Sequence, residues 1–312
     1  MQVQKITIVG AGRVGESTAQ ILAKEELCRE IMLLDINEGV PQGVALDIQQ
    51  SASLLRFDTR VSGATDTAAM ENSDMVIITA GLPRKPGMSR SDVLDTNLSI
   101  VDGIIDDVLR YAPNALLMMV TNPVDVLTWY AFKKTGWPRQ RIFGESGALD
   151  TARMTSFIAL ETGYSIKDIS ALVLGGHGDA MVPLPRFTDI AGINIGHFLS
   201  DTELERIVER TRQGGGEILS LKQHSSAYDS PAAAIAAMVD AVGHHRRRIL
   251  PCVGILDGEY DQHAIAMGVP AVLDENGLAE IIELKLNERE KADFQRSAYM
   301  VRKDIKSLPS SG

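Results

Sequence analysis

Cysteine is scarce: Cys28 and Cys252 are the only two in 312 residues. They lie too far apart, and outside any metal-spaced motif, to suggest a disulfide framework or a cysteine metal site, so both read as buried or inert thiols in a reducing compartment. Long hydrophobic runs are missing too. No apolar stretch approaches the ~18 residues that a membrane span needs. Positive charge is in deficit, with 31 Lys and Arg against 41 Asp and Glu and a net charge of −10. That balance argues against a nucleic-acid partner. The one basic cluster, His244-His245-Arg246-Arg247-Arg248, reads as the cationic last turn of a helix, opposing its dipole before Pro251 stops the chain. No internal repeat or low-complexity block interrupts the sequence. The first strand begins almost at once, near Lys5, which leaves no room for a signal or transit peptide and makes the cytoplasm the expected compartment.

What remains is an ordinary globular composition, 45% hydrophobic with a mean hydropathy of +0.00, and enough chain for about two domains. The first half alternates short β-branched runs (Ile6–Val9, Ile31–Leu34, Met75–Thr79, Leu116–Thr121) with helical patterns such as Val14–Lys24 and Leu98–Tyr111. Apolar strands without strict alternation, separated by helices, predict a doubly wound parallel sheet covered on both faces. From about Glu145 the pattern changes. A helix is expected over Thr151–Thr162, then strands around Ala171–Leu174 and Met181–Phe187. Helices follow over Asp201–Ser220, Pro231–Val242 and Gly277–Ile305, with a hairpin of Cys252–Leu256 and His263–Val269 between them. Gly214-Gly215-Gly216 interrupts one helical pattern, a sign of close packing or a bend, and the tail Ser307–Gly312 reads as frayed. The expected fold is α/β: a nucleotide-binding domain over residues 1–144, then an α+β domain over 145–312.

Five segments carry chemistry. Gly10-Ala11-Gly12-Arg13-Val14-Gly15 follows the first strand and opens a helix, and Asp35 ends the second strand twenty residues after Gly15. In that context the glycines read as a dinucleotide fingerprint: a tight turn, a close approach to a pyrophosphate, and helix–strand packing. The helix N-terminus offers amides to phosphate. Asp35 would bind a ribose 2′-hydroxyl and repel a 2′-phosphate, which favours NAD over NADP. The loop Leu82-Pro83-Arg84-Lys85-Pro86-Gly87-Met88-Ser89-Arg90 stands where the crevice should open. Alone it reads as a solvated basic loop. Beside a nucleotide fold it reads as a lid carrying arginines to an anion. Val120-Thr121-Asn122-Pro123-Val124-Asp125 ends the fourth strand, either as a plain turn or as one that offers the Asn122 amide to a ligand. Asp150 and Arg153, three apart on a helix, share a face. Finally, His177 sits in Gly175-Gly176-His177-Gly178-Asp179 at the end of an apolar run, suited to exchanging a proton near neutral pH.

In this order, these motifs resemble the lactate/malate dehydrogenase family over nearly the whole chain, from about Lys5 to Ile305. The resemblance implies NAD as cofactor and a hydride transfer in which His177 takes or returns the hydroxyl proton while Asp150 steadies its imidazole. It implies that Arg153 holds the substrate's C1 carboxylate and Arg90 polarises the C2 oxygen. Asn122 would contact substrate and cofactor, and Asn97 would lie near the nicotinamide. Gly10, Ala11, Gly12, Arg13, Val14, Gly15, Asp35, Val120 and Thr121 would line the cofactor. Arg84 would decide the substrate, since lactate-specific members usually carry a neutral residue there. An arginine fits the second carboxylate of malate or oxaloacetate and would be left buried and unpaired against pyruvate. A lactate or broader 2-hydroxyacid dehydrogenase is the alternative. Two more distant alternatives are a metal-requiring NAD-dependent glycosidase, which would need a Cys/His site absent from the sequence, and a catalytically dead NAD sensor, which would have lost His177, Asp150 or Arg153. No metal, membrane or nucleic-acid partner is implied. A homo-oligomer is, with a tetramer favoured over a dimer. Arg13 and Asp229 depart from the family's habit of a neutral and an aromatic residue at these places.

Overall fold

A computed structural model describes residues 3–82 and 90–308, the side chains of 90–92 excepted. Its first half comprises β1 (Lys5–Val9), α1 (Arg13–Lys24), β2 (Glu30–Leu34), α2 (Val40–Leu55), β3 (Arg60–Ala64), β4 (Met75–Ile78), α3 (Arg90–Tyr111), β5 (Leu116–Met119), α4 (Val124–Thr135) and β6 (Ile142–Gly144). The strands lie in the order β3-β2-β1-β4-β5-β6, all parallel. The chain builds outward from β1 in one direction, then returns to place β4 on the other side. A crevice opens at the carboxyl ends of β1 and β4, where such sheets bind their ligands. Continuous apolar strands are what a sheet covered on both faces requires, and Met75, Val76, Ile77 and Ile78 have no exposed surface. Helix α1 buries Gly15, Thr18, Ala19, Leu22 and Ala23, a spacing that keeps one stripe against the core. Burying a side chain such as Leu22 stabilises the fold by about 1.5–3 kcal/mol.

The second half runs α5 (Gly147–Thr162), β7 (Ile169–Ser170), β8 (Val173–Gly175), β9 (Met181–Pro183), β10 (Asp189–Ile190), β11 (Ile193–Asn194), α6 (Asp201–Lys222), α7 (Asp229–Gly243), β12 (Arg248–Asp257), β13 (His263–Asp274), β14 (Gly277–Ile281) and α8 (Glu288–Lys306). The antiparallel hairpin β12–β13 extends the main sheet. Val253 pairs with Gly144 of β6, and Gly268 pairs with Gly175 of β8. Strands β11-β10-β7 form a separate small sheet.

Four expectations are corrected or narrowed. The segment Gly277–Ile305 is not one helix. Gly277–Ile281 pairs with β13 as a strand, and the helix starts only at Glu288, where Asn287 and Glu290 form a reciprocal cap. The basic cluster is not the last turn of a helix. Helix α7 ends at Gly243, positive φ angles at His245 and Arg247 turn the chain, and Arg248 already begins β12. Its charges serve ion pairs instead, Arg246 with Asp240 and Arg247 with Asp274, while Pro251 lies inside β12 opposite Pro270. Gly214–Gly216 do not break α6, which is helical throughout. The expected strand Met181–Phe187 stops at Pro183, and Pro185–Phe187 form a short 3-10 turn. Residues 309–312 of the expected frayed tail lie outside the described residues.

Candidate active site

The glycine turn sits at the mouth of the crevice. Gly10 has a φ of 110°, and a Cβ there would lie 2.6 Å from the Ala80 nitrogen of the neighbouring strand end. A Cβ on Gly15 would lie 1.9 Å from the Gly10 carbonyl oxygen, so helix α1 can pack this closely only without one. Gly12, by contrast, faces open space within 4 Å. As the N-cap of α1 it brings no side chain to the helix's first amides. A helix N-terminus that is uncapped and open suits an anionic diphosphate. Arg13 stacks its guanidinium 5.6 Å from the Tyr228 ring centroid, and Val14 packs on the core. Asp35 accepts from Ala11 N–H at 2.9 Å and from Asn37 at 3.0 and 2.7 Å. It therefore fixes the glycine turn as well as offering spare lone pairs to a hydroxyl. Ile36, beside it, is 95% exposed, an apolar surface at the crevice edge that the sequence reading passed over.

Across the crevice, Val120 and Thr121 continue β5. The Thr121 hydroxyl donates to the Ala80 carbonyl at 2.6 Å. Asn97 is buried. Its amide nitrogen donates to the carbonyls of Asn122 (2.7 Å) and Leu82 (3.2 Å), and its oxygen accepts from Leu82 N–H (2.7 Å). The Asn97 side chain thus ties the start of the basic loop to the end of β5, while Asn122 itself is exposed. Arg84, with the rest of residues 83–89, lies outside the described residues, as does the side chain of Arg90.

The second group assembles from three elements. Asp150, in the first turn of α5, has a side chain only 3% exposed, and its two oxygens are divided between two cations. One accepts from His177 Nδ1 at 2.9 Å and the other from Arg153 Nη1 at 2.9 Å. Nδ1 being engaged, Nε2 is the ring nitrogen left to exchange a proton. The backbone holding His177 is fixed from two sides: Gly176 N–H donates to Ser297 Oγ of α8 at 2.8 Å, and His177 N–H donates to Asp125 Oδ2 of α4 at 2.8 Å. Arg153 Nε is buried with no partner among the described residues. Opposite it, a Cβ on Gly214 would lie 3.2 Å from Arg153 Cδ, so the glycine run of α6 leaves room for the guanidinium. Asp229, at the start of α7, is exposed and 3.9 Å from Lys222.

Burial alone would depress the His177 pKa. The charge and hydrogen bond of Asp150 outweigh it and raise the imidazole to about 9. Two further carboxyls, which the sequence reading gave no role, face the same histidine. Burial pushes Asp125 up to about 6 against the pull of the His177 amide and ring. It pushes Glu145 up to about 7, against the pull of the His177 charge. Asp125 stands in the sequence only as the last residue of the Val120–Asp125 segment, with no helix marked after it. Glu145 gave no signal either, lying where the domain pattern merely changes.

Residues 4–144 match the family profile described as lactate/malate dehydrogenase, NAD binding domain, and residues 147–310 match its α/β C-terminal domain. The chain belongs to the lactate/malate dehydrogenase family. It is 62% identical over 308 residues to a malate dehydrogenase of Nitrosococcus oceani, covering 99% of both chains. Among solved structures, the malate dehydrogenase of Salinibacter ruber superposes with a TM-score of 0.93 at 42% identity, covering 97% of each chain. A Cryptosporidium parvum lactate dehydrogenase, solved with lactic acid and nicotinamide adenine dinucleotide, reaches 0.94 at 34% identity, covering 99% of this chain and 100% of that one. The family fold is common to both activities, so substrate choice has to come from side chains in the crevice.

Proposed function

We propose that this protein is an NAD-dependent malate dehydrogenase, interconverting (S)-malate and oxaloacetate. The observation that carries the reading is the arrangement of His177 and Arg153 on the two oxygens of one buried aspartate. It sets a proton-exchanging nitrogen beside a carboxylate-binding guanidinium. Bound NAD supplies the acceptor for the hydride that leaves C2 of malate. The uncapped start of α1 and Asp35 would hold its diphosphate and adenosine ribose, with Asn122 and the Asn97-braced strand end near its nicotinamide.

In malate oxidation, His177 Nε2 takes the C2 hydroxyl proton, so the C2 oxygen becomes a carbonyl as the hydride departs. Asp150 stabilises the imidazolium that results and keeps Nδ1 protonated. In the reverse direction the same imidazolium returns the proton. The guanidinium donors of Arg153 not spent on Asp150 clamp the C1 carboxylate. Arg90 would polarise the C2 oxygen, and Arg84 would pair the second carboxylate, which would otherwise be desolvated alone at a cost of several kcal/mol.

The likeness to a lactate dehydrogenase keeps a broader 2-hydroxyacid substrate as the second reading, and one assay separates them. NADH oxidation with oxaloacetate should exceed that with pyruvate by at least about two orders of magnitude in kcat/KM; equal rates would discard the malate assignment. The same reading includes a cytoplasmic homotetramer. Apolar surface on a single helix, where Leu46 and Leu54 of α2 are 59% and 83% exposed, supports self-association; light scattering that returned a monomer or a dimer would refute the tetramer.

A further inference from the structure

Glu145 closes β6 and leads into α5. It is 4% exposed, its backbone N–H donates to the Met119 carbonyl at 2.8 Å, and its Oε1 has no hydrogen-bond partner among the described residues. The carboxylate accepts a hydrogen bond from Leu149 N–H in the first turn of α5, a role that one oxygen can fill, so the second, unpartnered oxygen is left unexplained by capping alone. What faces it is charge. His177 at the end of β8, Asp150 and Arg153 of α5, and the Cys252 thiol of β12 all interact with it electrostatically. Asp125 of α4 approaches His177 separately, through the His177 backbone. A carboxylate buried beside a histidine that carries charge during the reaction favours the imidazolium at a distance, without touching the ring.

We propose that Glu145 is a positioning residue of the proton relay, whose negative charge favours the imidazolium form of His177 alongside Asp150. The inference rests on His177 being the group that exchanges the proton. Ionised Glu145 strengthens the proton-donating form needed to reduce a keto acid. A proton on Glu145 weakens it, so the protonation of each group depends on that of the other.

The test is a histidine ¹⁵N titration of the intact, cofactor-free enzyme, with the His177 signal identified by its loss in His177→Asn. In Glu145→Gln, which keeps shape and removes charge, the His177 midpoint should fall by about half a unit or more. The basic limb of oxaloacetate kcat/KM should move the same way, with the KM for NADH unchanged. Glu145→Asp, which keeps the charge on a shorter stem, should retain most of the wild-type midpoint. An unmoved midpoint in Glu145→Gln overturns the proposal, and so does an equal fall in both variants, which would assign the effect to packing. The titration needs no turnover. A shifted midpoint in an enzyme inactive on malate would therefore sustain this inference while refuting the proposed substrate.

Discussion

Asp150→Asn is the sharpest test of the relay, because the structure dictates how the amide must sit. Asp150 receives two donors, one from Arg153 Nη1 and one from His177 Nδ1, each at 2.9 Å. An asparagine has one acceptor oxygen. Arg153 cannot give up its proton, so the amide oxygen stays with it and the amide NH2 turns to His177. The neutral ring then shifts its proton to Nε2 to accept that bond, and a protonated Nε2 cannot act as a base. The carboxylate that held the imidazole near 9 is also lost, and burial together with the Arg153 charge then outweighs the smaller pull of Glu145 and draws it down. Losing the correct tautomer and the counter-charge together should lower kcat/KM by about 10³–10⁴-fold, equivalent to about 4–5.5 kcal/mol in the barrier. The expected companion is an unchanged affinity for NADH, measured by fluorescence titration, since the glycine turn is untouched. Both directions pass through one transition state and share one overall equilibrium. Steady-state kcat/KM for malate and for oxaloacetate must therefore fall by the same factor at any one pH. A loss below tenfold would refute the reasoning about the tautomer, and unequal losses would mean that cofactor binding had changed as well.

Other outcomes follow from the same geometry. Arg84→Gln should lower oxaloacetate kcat/KM by roughly two to three orders of magnitude, from the ~3–5 kcal/mol of a broken buried charge pair, with pyruvate turnover unchanged or higher; control by Lys85 instead would shift the assignment by one residue. Asp35→Ser should narrow the preference for NADH over NADPH and, because Asp35 also accepts from Ala11 N–H, should raise the KM for NADH; comparable wild-type efficiency with both cofactors would defeat the ribose assignment. Gly214→Ala would press a methyl against Arg153 Cδ and should raise the KM for oxaloacetate roughly threefold to tenfold without altering NADH binding, so an unchanged KM would show that the helix yields instead. Buried Asp125 and Glu145 sit above the usual carboxylate range and His177 above the usual imidazole range, so stability from all three is greatest below their ordinary values and declines as pH rises through about 6, 7 and 9; the apoenzyme Tm should drop by at least about 3 °C between pH 6 and 9, and a rise would reverse the sign of the argument.

How much of this was legible in the sequence depends on how each residue is used. The buried parallel strands and α1 could be read because their apolar spacing has one cause, a core on a known side. Helix α4 was missed because Val124 to Thr128 are buried all round its first turns, which erases the period that marks an amphipathic helix. Strand β6 has three residues, too few for any pattern. Gly277–Ile281 has helix-forming neighbours but is claimed by β13, a tertiary pairing that overrides local preference; the cap at Asn287 and Glu290 was the available sign of where the helix begins. In the site, motif context pointed to His177, Asp150, Arg153 and the glycine turn, and the structure brings the first three into contact. The hydrogen bonds that Asn97 makes to the backbone of Leu82 and Asn122 had no mark in the sequence, because both partners lie far from it along the chain. Asp125 and Glu145 act across sequence separations of 52 and 32 residues from His177, and no local pattern records such a meeting.

The distribution of buried charge around His177 explains why these distant residues converge. A lone buried imidazole would lose its proton in so dry a site, and a lone buried carboxylate would gain one. Neither could then exchange a proton with a substrate near neutral pH. Asp150 resolves the first problem by contact, but it is also bonded to Arg153, whose positive charge lowers the proton affinity of His177. The site therefore needs additional negative charge if the imidazolium is to persist beside a guanidinium. Asp125 supplies it through the His177 backbone amide, and Glu145 supplies it through space. Each is costly to bury alone, and each is less costly in the presence of the imidazolium. The three acids and the two cations are thus mutually conditional. Removing any one charge should shift the proton affinities of the rest, which is why substitutions here are better judged by titration midpoints than by rates alone.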